Sequence, residues 1–137
     1  MDQDVEHLRL LSIFHYVVGA MAGLFACIPC IHLALGIILL SGAIQPGPGQ
    51  EPPPAFVAWL LIVIAAMFIL IGWTIAVLIL LAGRFLARYS RYTYCFVVAA
   101  IECLFMPFGT VLGVFTIIVL MRPSVKSLFQ GQSTSTA

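Results

Sequence analysis

The stretch CFVVAAIECLFMPFGTVLGVF, residues 95–115, decides how this chain folds. Its residues are mostly apolar, as in a membrane-buried helix, yet it carries one glutamate, Glu102, followed by a proline and a glycine. Two explanations stand side by side. The stretch is either a functional site built on a broken helix, or a turn that tolerates a carboxylic acid nearby.

The break itself is specified by four residues. Met106 precedes a proline, and a residue in that position disfavours helical backbone. Gly109 can supply a positive φ, and Thr110 can cap a new helix that begins at Val111. The pattern Met-Pro-Phe-Gly-Thr therefore predicts a turn at Pro107 between two helices.

The composition predicts an integral membrane protein. Of the 137 residues, 63% are hydrophobic and 8% are charged, and the mean hydropathy is +1.16. Soluble domains carry about 25% charged residues. No charged residue lies between Arg9 and Glu51, or between Glu51 and Arg84. Uncharged apolar stretches longer than about 18 residues are typical of bilayer spans.

The apolar blocks and their connectors divide the chain into six parts. We expect an all-α membrane protein, a single transmembrane helical domain over residues 1–137 with three to four membrane helices. Its outer segments are expected to break at Pro29 and Pro107. The parts are a first membrane segment (about 10–41), a proline-rich loop (42–55), a second segment (56–82), a basic-aromatic linker (83–93), a third segment (94–121) and a short C-terminal tail (122–137) that ends in disorder.

The two outer segments are too long for one crossing and too short for two, since roughly 30 residues of helix reach about 45 Å. CIPCIH around Pro29 lacks a glycine, which favours a kink there. At Pro107 a hairpin is favoured, because it places all six Lys and Arg residues on one side, as the positive-inside rule requires of a cytoplasmic face. Its short arms would be short spans or a re-entrant loop, which must be shielded by protein.

A weak internal repeat offers a further arrangement. YVVGAMAGLF (16–25) and FVVAAIECLF (96–105) share five identities in ten positions at an offset of 80 residues. If both outer segments were hairpins around the central span, the repeats would be inverted in topology. Many transporters build a midplane site from broken helices of that kind.

Glu102, His15 and His32 are the candidate ligand-binding residues. A carboxylate in hydrocarbon is costly, so Glu102 should be protonated, paired with a histidine or facing a cavity. It is either a proton or cation site, or a protonated side chain that bonds free backbone groups near the turn. His15 and His32 are candidate axial ligands for haem or chlorophyll, or they hydrogen-bond across helices. On one helix they would lie about 25 Å apart and would not share a metal.

The cysteines and glycines have simpler interpretations. Cys27 and Cys30 have the C-x-x-C spacing of redox dithiols, but a reactive thiolate needs neighbouring basic residues, which this segment lacks. The sequence therefore favours a role for both as small hydrophobic side chains. Two G-x-x-x-G patterns predict close helix packing. Their members are Gly19, Gly23, Gly109 and Gly113.

No catalytic pattern is found, so we expect no enzyme activity, no catalytic residue and no metal site. The sequence has no phosphate-binding glycine loop, nucleophile elbow or H-E-x-x-H motif. The net charge of +1 gives no reason to expect a nucleic-acid partner. The acidic start is unlike the basic start of a signal peptide, so no cleaved signal is expected.

Three stretches resemble a widespread set of small bacterial integral membrane proteins of uncharacterised function. They are HLRLLSIFHYVVGAMAGLFACIPCIHLALGIILLSG, GWTIAVLILLAGRFLARY and AAIECLFMPFGTVLGVFTIIVLMRPSVKSLF, the last from Glu102 onward being the most specific. The resemblance implies a multi-pass helical protein of the bacterial inner membrane. It carries over no activity and no catalytic residue.

Three functions remain open. The first is an accessory or scaffolding subunit of a larger respiratory, photosynthetic or transport complex, with the lipid bilayer and other membrane subunits, or copies of itself, as partners. The second is a small oligomeric transporter or channel that uses Glu102 on a broken helix. The third is a subunit that holds haem or chlorophyll through His15 or His32.

Overall fold

The computed structural model describes residues 2–44, 47, 49, 51–105 and 107–133, and within these ranges the chain is all-α. The expected fold class is confirmed, with breaks at Pro29 and Pro107. The chain forms two compact units. The first contains residues up to Met21 and from Ile75 onward, and the second contains Ala22–Thr74. The helices are α1 (Asp2–Phe25), α2 (Pro29–Leu40), α3 (Ala55–Ala87), α4 (Tyr92–Glu102), α5 (Phe108–Leu120) and α6 (Pro123–Ser133).

Two helical segments are long and apolar enough to cross a membrane. They are Gln3–Leu40, which comprises α1 and α2, and Ala55–Ala87, which is α3. A third candidate is α5 together with the start of α6, although the two helices are bent by 77° at Pro123. Most large apolar side chains along these helices are exposed, as expected of surfaces that contact lipid rather than water.

The break at Pro29 is a short stretch of tighter turns. Proline has no N–H and its ring clashes with the carbonyl four residues earlier, here that of Phe25. That carbonyl instead accepts from the Ile28 N–H at 3.1 Å. The Cys30 N–H donates to Cys27 at 3.0 Å in the same three-residue pattern. These 3₁₀-type bonds carry the chain past the proline, after which α2 continues.

In the second unit, small residues let α2 and α3 approach closely. A methyl group at Gly36 would lie 2.7 Å from Cγ1 of Ile62 and 3.1 Å from the carbonyl oxygen of Ala58. A methyl group at Gly72 would lie 2.7 Å from Cβ of Ala26. Small side chains allow backbones to pack tightly where lipid supplies no hydrophobic driving force.

In the first unit, α4 and α5 pack against each other as a hairpin around Pro107. Met106, on which part of the prediction rests, lies outside the described residues. The expectation for Thr110 is wrong, because α5 already begins at Phe108. The Thr110 hydroxyl donates to the Cys103 carbonyl at 2.9 Å and its N–H donates to Phe105 at 3.2 Å. Thr110 therefore closes the turn instead of capping a helix.

The arms of this hairpin are shorter than a bilayer core. The 11 residues of α4 and the 13 residues of α5 reach about 17 Å and 20 Å, against a core of about 30 Å. If α4 enters at Tyr92, Glu102 at its far end lies about 15 Å deeper, close to the middle of the core. These lengths fit a re-entrant hairpin better than two full crossings.

Contacts at one end of the first unit involve four helix termini. The Tyr92 hydroxyl donates to the carbonyl of Leu120 at 3.0 Å, which joins the start of α4 to the end of α5. The Asp4 carboxylate accepts from Arg122 at 2.9 Å and from the Ser124 hydroxyl at 2.7 Å. The start of α1 therefore lies at the same end as the start of α6.

The predicted C-terminal tail, residues 122–137, contains a helix that sequence reasoning missed. α6 runs over Pro123–Ser133 and so includes the first residues of GQSTSTA, while residues 134–137 lie outside the described part. Proline at the first helical position suits a helix start. Val125 and Phe129, four residues apart, are both buried, and the ring of Phe129 meets that of Tyr92 edge-on at 5.7 Å. Packing of this face holds a segment of low hydropathy in helical form.

The two segments of the weak repeat do not fold alike. Residues 16–25 lie entirely within α1, whereas the matching stretch 96–105 leaves the helix after Glu102. The first segment continues past Pro29 as part of one apolar span, and the third turns back on itself. An inverted pair of hairpins is therefore not the arrangement of this chain.

Candidate functional site

Four polar side chains are buried among the described residues: Ser12, His15, Glu102 and Thr116. The hydroxyl of Ser12 donates to the carbonyl of Gly83 at 2.8 Å, and that of Thr116 donates to Leu112 in its own helix at 2.7 Å. Both hydroxyls are thus satisfied by backbone. His15 and Glu102 instead face each other and form the candidate site, which we call the His–Glu pair.

His15 is held by its own helix and by α3. Its Nδ1–H donates to the carbonyl of Leu11, one turn earlier in α1, at 2.8 Å. Gly83 lies against the same face of α1, since a methyl group there would lie 3.0 Å from Cβ of His15 and 3.2 Å from the carbonyl oxygen of Ser12. Because a carbonyl only accepts, Nδ1 carries a proton and Nε2 is the nitrogen presented to Glu102.

Glu102 is positioned by the hairpin turn. It is the last residue of α4, and its carbonyl accepts from the N–H of Phe105 at 2.9 Å. Gly109 packs on that same carbonyl, where a methyl group would lie only 2.5 Å from the oxygen. The close turn fixes the backbone of Glu102, and its side chain extends to place Oε2 3.2 Å from Nε2 of His15.

In the pair, a base and an acid face each other in the buried interior, at 0% and 1% exposure. A pair with zero net charge avoids most of the cost of placing an isolated ion in hydrocarbon.

The contact is close but poorly aligned. Although Nε2 and Oε2 are 3.2 Å apart, neither atom has a hydrogen bond of good geometry within the described structure, and Oε1 has none either. The electrostatic attraction between the two groups depends little on the angle at the donor, whereas a hydrogen bond weakens steeply as that angle departs from linear. Both carboxyl oxygens therefore keep unused acceptor capacity, which in a buried site is an unusual and costly feature.

The remaining candidate ligands and thiols lie elsewhere. His32 is exposed on α2 in the second unit. Cys27 and Cys30 are exposed free thiols, while Cys95 is a buried one. Of the two nitrogens of His15, one faces Leu11 and the other faces Glu102, so in this arrangement neither is open to a porphyrin metal.

The glycines of the two G-x-x-x-G patterns differ in their surroundings. Gly19 is buried, and a methyl group there would lie 2.8 Å from the side chain of Leu80. Gly23 is half-buried. Gly109 and Gly113 are both buried where α5 meets α4. The second pattern therefore packs the chain's own hairpin.

No group of three or more His, Cys, Asp or Glu side chains that could hold a metal ion lies within residues 2–44, 51–105 and 107–133.

Sequence reasoning missed two parts of the site's support. The bond from Ser12 to Gly83 had a detectable signal, because Ser12 and His15 are three residues apart and share a helix face. The cluster of Asp4, Arg122 and Ser124 had no such signal in the sequence, because Arg122 and Ser124 lie 118 and 120 residues after Asp4.

The helices and their exposed apolar surfaces define a small multi-pass helical membrane protein. No family model, curated protein or solved structure matches the chain. Of the resemblance noted in the sequence, the helices support the class of small membrane protein and nothing finer.

Proposed function

We propose that the protein is an accessory or scaffolding subunit of a larger membrane protein complex. One observation carries the proposal: the pair of ionisable side chains in the described interior, His15 and Glu102, is sealed from solvent at 0% and 1% exposure. A protein whose chemistry is closed off in this way acts through its surfaces.

The surfaces support this role. Large apolar side chains are exposed on both units, including those at the tip of the α4–α5 hairpin, where Leu104 is 81% and Phe108 is 71% exposed. Re-entrant backbone persists in lipid only when protein shields it or its polar groups are satisfied internally. Here turn bonds satisfy part of the backbone, and a partner helix would cover the rest of the tip.

We further propose that the protein lies in the bacterial inner membrane, with the basic end of the first unit on the cytoplasmic side. That end carries Arg84, Arg88, Arg91 and Arg122, as the positive-inside rule favours.

Co-purification tests the subunit role. The tagged chain, extracted from native membranes with a gentle detergent, is expected to elute with one or more membrane proteins at a ratio that stays constant through successive columns. Quantitative mass spectrometry measures that ratio. Elution of the chain alone, or only with its own copies, across several gentle detergents would contradict the proposal.

A second function is favoured by a separate observation, the unused acceptor capacity of the buried Glu102. An ionisable residue buried in an apolar membrane protein is by default a candidate for ion or proton movement. In an oligomer that opened a water path to the pair, Glu102 would take up and release a proton.

Proton flux into liposomes tests this second function. Wild-type protein, reconstituted with an internal pH dye and driven by a potassium diffusion potential, should acidify the lumen faster than empty liposomes. Glu102→Gln, nearly equal in volume but unable to exchange a proton at neutral pH, should lower the rate at least tenfold. Thr116→Val, which removes a buried hydroxyl from the same unit, should leave it unchanged. Equal rates for wild type and Glu102→Gln would contradict a proton-carrying role.

A further inference from the structure

A cleft opens at the end of the first unit where α4 and α6 begin. It has a volume of about 310 Å³, in the lower range of ligand-binding pockets. We call it the headgroup cleft. It is lined by Arg91, Tyr92, Thr93, Lys126, Phe129 and Gln130.

The charge of the cleft is uniformly positive. Its lining contains two cationic side chains, Arg91 and Lys126, and no acidic one. The neighbouring Arg122 is already paired with Asp4 at 2.9 Å. Within the described part of the chain, no carboxylate lies within ion-pair distance of Arg91 or Lys126, so the two cations are available to an anion.

The other wall of the cleft is aromatic. The rings of Tyr92 and Phe129 meet edge-on at 5.7 Å, and the Tyr92 hydroxyl is engaged with the carbonyl of Leu120. The guanidinium of Arg91 lies 5.6 Å from the ring centre of Phe85, a cation–π distance that restrains its position. An apolar wall beside two cations matches a ligand that is anionic at one end and apolar at the other.

The place of the cleft along the chain identifies the source of such a ligand. Tyr92 begins the apolar helix α4, and aromatic side chains with neighbouring arginines sit at the level of lipid headgroups. A cleft at that level meets phospholipid at very high local concentration. Basic pockets at the ends of membrane helices are suited to phosphate-bearing headgroups.

We propose that the headgroup cleft binds one anionic phospholipid, with its phosphate between Arg91 and Lys126 and its glycerol and upper acyl chain against Tyr92. This site is independent of the His–Glu pair and of the proposed subunit role. The bound lipid would tie the start of α6 to the start of α4.

Lipid binding by the purified full-length chain tests the proposal. In a neutral detergent, where no membrane surface potential acts, native mass spectrometry should show one phosphatidylglycerol retained per chain and no comparable retention of phosphatidylcholine. The double variant Arg91→Gln/Lys126→Gln should weaken phosphatidylglycerol binding about 25-fold, since each cation near an anionic headgroup contributes about fivefold.

The matched control is Arg84→Gln/Arg88→Gln, which removes the same charge from exposed arginines outside the cleft lining. It should change binding less than threefold. An equal loss in both double variants would overturn the site, because binding would then follow general surface charge. Inorganic phosphate alone, titrated in lipid-free micelles, should bind at least tenfold more weakly; equal affinity would overturn the lipid assignment in favour of a soluble anion.

A measurement on the unaltered protein guards against misfolded variants. Phosphatidylglycerol with a photoreactive headgroup, crosslinked in liposomes, should label peptides that contain residues 91–93 or 126–130. Labelling confined to other parts of the chain would overturn the proposal.

Discussion

Replacing His15 with leucine is expected to lower the free energy of unfolding by about 3 kcal/mol. The substitution preserves volume but leaves the Glu102 carboxyl buried with no partner, and a buried polar group without a partner costs about 1–3 kcal/mol, more if it stays charged. Glu102→Leu should cost a similar amount, because Nε2 of His15 is then unpaired. Unfolding in mixed micelles, followed by helical circular dichroism, measures both changes.

The double variant separates pairing from packing. His15→Leu/Glu102→Leu should lie within about 1 kcal/mol of the wild type, because replacing both members of a buried pair by apolar groups is often neutral or stabilising. Thr116→Val is the matched control and should change stability by less than about 0.5 kcal/mol, since its hydroxyl bonds only a carbonyl of its own helix. Additive losses in the double variant would show that the two side chains do not interact.

Local stereochemistry explains why the breaks could be predicted. At Pro29 and Pro107 the missing N–H and the ring clash act within four residues, so the sequence alone locates both breaks. The choice of a kink at one and a hairpin at the other rested on the nearby Gly109 and on the positive-inside rule. The positive φ expected of Gly109 is wrong, because this residue lies within α5. The start of α5 was misplaced because Thr110 bonds across the turn to Cys103, a contact that no local rule anticipates.

Tertiary packing explains what could not be predicted. The sequence indicated that Glu102 needs a histidine or a cavity, but it left His15 and His32 as equal candidates. The choice depends on α1 meeting the hairpin, with Gly83 allowing α3 to approach beside His15. α6 was missed for the same reason, since its polar composition predicts a tail and only the burial of Val125 and Phe129 makes it a helix.

Gly113→Ala is expected to lower the free energy of unfolding by about 3 kcal/mol, at the upper end of overpacking costs. The added methyl group would overlap the carbonyl oxygen of Ala99 and lie 2.7 Å from Sγ of Cys103. Two of its nearest atoms are backbone, so a rotamer change cannot relieve the clash and the hairpin arms must separate. Unfolding in mixed micelles measures the loss, and faster reaction of the Cys103 thiol with a small maleimide would report the separation.

Gly131→Ala is the matched control for this change. No atom lies within 4 Å of a methyl group placed there on α6, so alanine should leave stability unchanged or raise it by up to about 1 kcal/mol through helix propensity. Because Gly109 packs on the carbonyl of Glu102, any separation of α4 from α5 should also move Oε2 away from His15. Gly113→Ala should therefore reduce the coupling measured between His15 and Glu102. A variant as stable as wild type, with that coupling intact, would show that the arms are not in close contact.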